Sequence, residues 1–283
     1  MSFRDHIRIC NSYDPMRVVP LLAGNDRLGL LRRDNAEALR RFPDVFAVET
    51  DKVRLLVRGD VDTVSRAVDG VVDALVAEHR VPKWRNETFD VAPRWRAPPV
   101  FRLDRGAVPF FGTRAYGVHL NGYRRERNAL NLWVGRRAPD KKVAPDKLDN
   151  LVAGGVGNGH GLDETLLKEG EEEASIPTSL TKRAIPVGAV SYRMETELGI
   201  RDDVLFVYDL EMPAEFAPKN QDGEIVHFEL MPALAVLERV RTSDDFKFNV
   251  NLVILDFALR HGLLRPDDPE YLHVATGLHR PLD

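Results

Sequence analysis

Glu169, Glu172 and Glu173 stand at i, i+3 and i+4 in residues 154–176, GGVGNGHGLDETLLKEGEEEASI. A helix advances about 100° per residue, so the three carboxylates share one arc of about 100°. Leu162, Leu166, Leu167 and Ala174 spread over the other side, which suits a core. Carboxylates at this spacing repel by a few tenths of a kcal/mol per pair. A hard divalent cation held between them removes that penalty, and oxygen donors favour Mg²⁺, with Mn²⁺ as the alternative. Gly154, Gly155, Gly157, Gly159 and Gly161 lie just upstream, where the free N–H groups of a helix start hold anions. Metal-binding acids and an anion loop together describe a diphosphate site. The competing reading of the triplet is a solvated acidic face.

Several elements must position these residues. Short apolar runs at 115–120, 129–135 and 148–153 precede the acidic helix, and runs at 185–194, 204–210 and 225–230 follow it as strands. A helix is expected near 232–240, and another over 250–261 that Gly262 stops. Strands on both sides of a central helix, with a closing helix, predict a mixed sheet between helices. Residues 3–79 read as a compact α/β unit. It opens with an amphipathic helix near 3–12, and its clearest element is a helix over 61–80 capped by Asp60. Pro82, Pro93, Pro98 and Pro99, with Trp84 and Trp95, mark a change of domain near 81–100 that is too aromatic for a floppy linker. The division expected is 1–100 and 101–283.

The chain has 283 residues, enough for one large or two small domains. A net charge of −4 makes no electrostatic case for nucleic acid or an anionic membrane. Cys10 is the one cysteine, which excludes an intramolecular disulfide and suits a reducing compartment. No secretory h-region and no apolar run of membrane-spanning length is visible, so the expected location is cytoplasmic.

Residues 154–176 resemble the signature of the Nudix hydrolases. Gly154, Glu169, Glu172, Glu173 and Ile176 match it. His160 replaces its first Glu, Lys168 its Arg, Gly170 a hydrophobic residue and Ser175 its Gly. FFGTRAYGVHLNGY (110–123), KLDNLVAGG (147–155), VLFVYDLEMP (204–213), QDGEIVHF (221–228) and DFALRHG (256–262) are similar to one group of that family. That group comprises fungal and plant enzymes with their own N-terminal domain, which remove a phosphate from damaged or analogue forms of thiamine diphosphate. The resemblance implies a Nudix α/β/α sandwich, a mixed sheet between helices, preceded by a small α/β N-terminal domain that shapes substrate choice.

It also implies roles. Glu169, Glu172 and Glu173 would bind Mg²⁺ and, with Lys168 and Glu224, form the catalytic set. Glu224 would bind metal or accept a proton, or else is a turn acid after Asp222-Gly223. Lys168 can pair with Glu172, though without the bidentate fork of an arginine. Glu164 partly replaces His160, whose own ring nitrogens are poor donors for Mg²⁺. Gly154, Gly155, Arg136 and Arg137 would bind the diphosphate, with Lys141 and Lys142 beside them. Phe110, Tyr116 and Tyr208 are aromatic candidates for stacking on a thiamine-like ring. The partner is a small-molecule diphosphate, and the oligomeric state is open. Two alternatives stand: the same chemistry on another nucleoside diphosphate-linked substrate, or a non-catalytic diphosphate-binding module.

Glu172→Gln and Glu173→Gln are each expected to lower kcat by roughly 100-fold or more in a folded protein. Steady-state kinetics with circular dichroism checks this, and full turnover in both variants removes the metal assignment. Lys168→Arg, which restores the family residue, is expected to keep or raise the rate.

Overall fold

Alternating apolar and polar residues from 114 to 232 make long strands, and their pairing builds the sheet that carries the acidic helix. The computed structural model describes residues 1–83, 87–127 and 129–282. The first part of the chain holds α1 (Phe3–Cys10), β1 (Val18–Ala23), β2 (Asp26–Arg32), α2 (Arg33–Leu39), β3 (Phe46–Val48), β4 (Val53–Leu55) and α3 (Val61–Ala77). A hairpin of β5 (Thr88–Val91) and β6 (Phe101–Asp104) leads to the short α4 (Val108–Phe111). Then come β7 (Arg114–Glu126), β8 (Ala129–Arg137), β9 (Leu148–Asp149), β10 (Val152–Gly155), α5 (Leu162–Ala174) and α6 (Thr178–Thr181). The chain closes with β11 (Ile185–Glu195), β12 (Ile200–Glu211), β13 (Ile225–Pro232), α7 (Ala233–Thr242), α8 (Phe248–Arg260) and α9 (Tyr271–Gly277).

The main sheet runs β11-β12-β7-β8-β13, with β10 added to β7 and β9 to β8. β12 and β7 are parallel and the other pairs antiparallel, so the sheet is mixed as expected. The far side of β7 is split. Residues 117–120 pair with β10, whereas 123–126 pair with β8. One face of the sheet buries Val118, Leu120, Tyr208 and Leu210 under Leu166 and Ala174 of α5 and Leu180 of α6. The other buries Leu132, Val134, Leu205 and Val207 under α7 and α8. This is an α/β/α sandwich.

The N-terminal sheet, β2-β1-β4-β3, packs on α3, whose Val64, Val68, Val71, Val72 and Leu75 are buried. Asp60 caps α3 by accepting from the Thr63 N–H at 2.8 Å, as its position predicts. α1 is set by a capping box in which Ser2 and Asp5 exchange hydrogen bonds. It lies outside the core that the N-terminal sheet shares with α3. Phe3 and Cys10 are buried in the core that contains α8, because their apolar stripe finds its complement there. Trp95 packs on Tyr116 and Phe206 at 4.5 and 4.8 Å, joining the proline-rich stretch to the main sheet, while Trp84 lies outside the described residues.

The two sheets meet at α4. The Leu30 N–H donates to the Gly112 carbonyl at 3.0 Å, and Gly112 ends α4 in the left-handed region at φ 59°. A Cβ on Gly112 would lie 1.8 Å from the Leu30 carbonyl oxygen. Both the backbone sign and the contact exclude a side chain. Gly112→Ala is therefore expected to lower the melting temperature by about 5 °C or more. A calorimetric shift under 1 °C or so would mean that the junction yields instead.

Candidate active site

α5 begins at Gly161, whose N–H donates to Glu164 at 3.0 Å. Glu164 thus caps its own helix, and His160 lies 3.8 Å from it on the exposed surface. That differs from the role expected for Glu164, because the unpaired amide of the helix start is the nearer claim on its carboxylate. The glycine run divides as well. Gly154 and Gly155 are strand residues, paired with Val118 and Gly117, and only the glycines after them are loop. Gly154 lacks a side chain because Glu169 lies across it: a Cβ there would be 2.3 Å from the Glu169 Cγ. Gly170 faces Thr181 of α6, 3.3 Å from where its Cβ would be, so it serves helix–helix contact rather than contact with the sheet.

Glu173 points inward and is only 7% exposed. It accepts the Ala153 N–H of β10 at 2.8 Å. Burial holds its carboxyl well above the usual carboxylate range; Asp149, Glu169 and Glu224 push the same way, against that N–H. The segment after β12 closes over this end of α5. Lys219 and Gln221 donate their N–H groups to the Ala174 and Glu172 carbonyls, satisfying the free carbonyls of the helix end. Asn220 bonds Asp222 at 2.7 Å and the Gly223 N–H, and the Glu224 N–H donates to Asp222 at 2.8 Å. Glu173, Asp222 and Glu224 thereby bring carboxylate oxygens within 4.8 Å of one another.

This is a different trio from the one the helix wheel suggests. Glu169 and Glu172 lie outside it, and the Lys168 ammonium stands 3.4 Å from each of them. Although burial works against it, these two carboxylates hold the Lys168 ammonium above its usual value. Burial also raises Glu169, with Lys168 opposing. Asp222 was not among the sequence candidates. Its position follows from a loop docked on a helix whose bonded residues lie 46 and 47 positions earlier, and only the Asp-Gly turn hinted at it. All the donors of the trio are oxygens, and their crowding is of the kind that a hard divalent cation relieves, so the residues fit such an ion.

Glu224 also lines a cleft of about 880 Å³. Lys141 pairs with Glu224 at 2.5 Å, and Lys142, Gly154 and Gly155 line the same space. Of the two expected arginines, Arg137 faces the cleft and Arg136 the other side of β8, where it bonds Asp146. The Arg137 guanidinium is occupied: its nitrogens donate to Asp149 at 2.6 Å and to the Ala144 and Val143 carbonyls. Beneath it, Asp149 also meets Lys247 at 3.3 Å. Burial pushes the Lys247 ammonium down, while Lys247 and Arg137 hold Asp149 below its usual range despite burial. Of the three aromatic candidates, Tyr116 lines the cleft. Phe110 and Tyr208 are buried in the N-terminal core and under α5. Glu87 and Phe89 from the hairpin region complete one wall.

Residues 2–115 match a family described as "Domain of unknown function (DUF4743)". The chain is 39% identical to Nudix hydrolase 20, chloroplastic, of Arabidopsis thaliana, over 96% of this chain and 76% of that protein. It is 40% identical to Nudix hydrolase 24, chloroplastic, of the same plant, over 90% of this chain and 70% of that one. An uncharacterized Saccharomyces cerevisiae protein is 32% identical over 85% of this chain and 75% of its own length. Two of these names are chloroplastic, which overturns the cytoplasmic location expected from composition. No helix among the described residues is long and apolar enough to cross a membrane.

The raised carboxyl of Glu173 has a consequence for stability. Its folded form binds a proton more tightly than the unfolded chain does, so the contribution is full below the ordinary carboxylate pKa. It is lost as pH rises through the raised value. Without divalent metal, Glu173→Gln is expected to melt about 2–4 °C above the parent at pH 8. The gap should close at pH 4. Added Mg²⁺ should raise the melting temperature of the parent and hardly move the variant. Calorimetry in chelator and in Mg²⁺ checks all three, and a variant less stable than the parent at pH 8 contradicts them.

Proposed function

Because the chain belongs to the Nudix hydrolase family, and so is a hydrolase of diphosphate bonds, we propose that it removes a phosphate from thiamine-diphosphate derivatives in a Mg²⁺-dependent reaction. The observation that carries the reading is Glu224, which belongs both to the acidic trio and to the wall of the 880 Å³ cleft. The stretches at 110–123, 147–155, 204–213, 221–228 and 256–262 favour thiamine-type substrates over other diphosphates. The relatives' names favour a plastid location.

In this reading Glu173, Asp222 and Glu224 hold the metal, with Glu169 and Glu172 as further acids on the same helix. When bound, the ion neutralises charge on the diphosphate and makes a bound water more acidic. The chain supplies the rest. Ala153 orients Glu173 through its N–H. Glu224 receives a proton from the attacking water, and Lys141 orients its carboxylate from 2.5 Å away. Lys142 and the backbone at Gly154 and Gly155 meet the phosphates, while Arg137 ties down the 138–147 segment that carries both lysines. Lys168 holds Glu169 and Glu172 in place. Tyr116 offers a ring to the substrate head.

Residues 101–283 carry the chemistry, and residues 1–100 shape substrate choice through Glu87 and Phe89. Deleting residues 1–100 is a poor test of that division. It strips α1 from the core around α8 and uncovers Phe101, Leu103 and Phe110, which are buried in the N-terminal core.

Turnover of thiamine diphosphate and an oxidised thiamine diphosphate, read as inorganic phosphate, and of ADP-ribose and a nucleoside diphosphate sugar, read as the nucleoside monophosphate, tests the proposal. Thiamine-type compounds should give the monophosphate fastest, and omitting Mg²⁺ should slow release by roughly 100-fold or more. Faster turnover of the nucleotide compounds would shift the substrate. Binding of these compounds without cleavage of any of them would leave a binding module.

A further inference from the structure

One residue lining the cleft carries a buried acceptor that nothing among the described residues uses. Asn249, the second residue of α8, lines the cleft and is 6% exposed. Its Oδ1 is buried without a partner. The orientation of its amide is dictated by neighbours. Tyr192, fully buried, donates its phenolic proton to Asp203 at 2.5 Å, and the Arg201 guanidinium stands 3.6 Å from the same carboxylate. With that proton committed, the phenolic oxygen can only accept. The Asn249 Nδ2 donates to it at 3.5 Å, a long contact that still fixes which end of the amide faces Tyr192. A flipped amide would set two lone pairs against each other. Oδ1 is therefore left as an acceptor, and a buried acceptor without a donor is a cost that a bound ligand can remove.

A second relay sets the same polarity at His119, which also lines the cleft. Arg260 and His261 hold Asp209, which accepts from Asn121 at 3.0 Å. Asn121 accepts from Asn150 at 2.9 Å, and Asn150 accepts from the Nδ1 of His119 at 2.8 Å. His119 lines the cleft, and its Nδ1 carries the proton. Its Nε2 is then a lone-pair acceptor with no partner among the described residues. Burial pushes the ring down to about 4, so it stays neutral near pH 7.

We propose that Asn249 is a specificity residue whose carbonyl accepts a hydrogen bond from an N–H donor on the non-phosphate end of the substrate, so that amino-bearing nitrogen heterocycles are selected. This rests on the diphosphatase reading above for the placement of the phosphates, but not on which heterocycle is carried. Tyr192 is the positioning residue that locks the amide.

Two matched pairs test it: thiamine diphosphate with its analogue bearing hydrogen for the pyrimidine amino group, and ADP with purine riboside diphosphate. KM and kcat are measured, or a competitive inhibition constant for any compound not turned over. The parent should prefer the amino member of at least one pair by about 10- to 100-fold. Asn249→Ala should bring that ratio close to one. Tyr192→Phe, which keeps the ring volume but frees the amide to turn, should narrow it to a few-fold, and it decides the matter should the alanine variant not fold. Absence of any preference in the parent overturns the assignment, as does a preference that survives both substitutions. If only the adenine pair responds, the thiamine reading fails and the acceptor role of Asn249 stands.

Discussion

Keeping the Glu173 carboxylate out of water, with its oxygen on the Ala153 N–H, is the constraint around which the site is arranged. A buried carboxylate beside others is unfavourable unless something compensates its charge. Here one backbone donor does part of that, which requires β10 to run directly under α5. Gly154 permits the approach, since any side chain would meet Glu169. Ser175, with a left-handed backbone at φ 52°, ends the helix and hands its hydroxyl to the Lys219 carbonyl, which brings the Asp222 and Glu224 segment over the same spot.

The charges around this point are partitioned by strand geometry. Side chains one apart on β8 face opposite ways, so Arg137 enters the cleft while Arg136 braces Asp146 outside. Arg137, Asp149 and Lys247 form a buried group with one more positive than negative charge beside Glu173. That surplus is suited to an acidic neighbour and to phosphate. Lys168 acts on the exposed side of α5, where it separates Glu169 and Glu172 from one another. An arginine is not needed for that, because two monodentate contacts from a point charge suffice.

The cleft is composite. Its floor comes from β7 and β12, one wall from α8, and another from Glu87 and Phe89. The two sheets are held at a fixed separation by α4, where Asn35 donates to the Phe110 and Leu198 carbonyls and Gly112 rests on Leu30. Gly155 repeats the device inside the cleft, since a Cβ there would come within 2.8 Å of the Phe89 ring. The shape offered to a substrate therefore depends on both parts of the chain.

Much of this was legible from residues alone. Periodicity located α5, α7, α8 and the strands of the main sheet, though it read β9 and β10 as one run at 148–153, because one-sided burial leaves its period in the sequence. The spacing of Glu169, Glu172 and Glu173 marked the helix that bears acids, and Asp60 marked the start of α3. Local patterns cannot say which residues distant in sequence come together. A helix wheel put Glu172 with Glu173, whereas a docked loop gave Glu173 the company of Asp222 and Glu224. Composition read α1 as part of the N-terminal unit, but an apolar stripe specifies burial and not its partner, and it went to the α8 core. His119 and Asn249 carried no signal at all, since one histidine or asparagine looks like any other. Their roles arise from relays through Asn150, Asn121 and Asp209, and through Tyr192 and Asp203, that only close packing of separate strands and α8 can assemble.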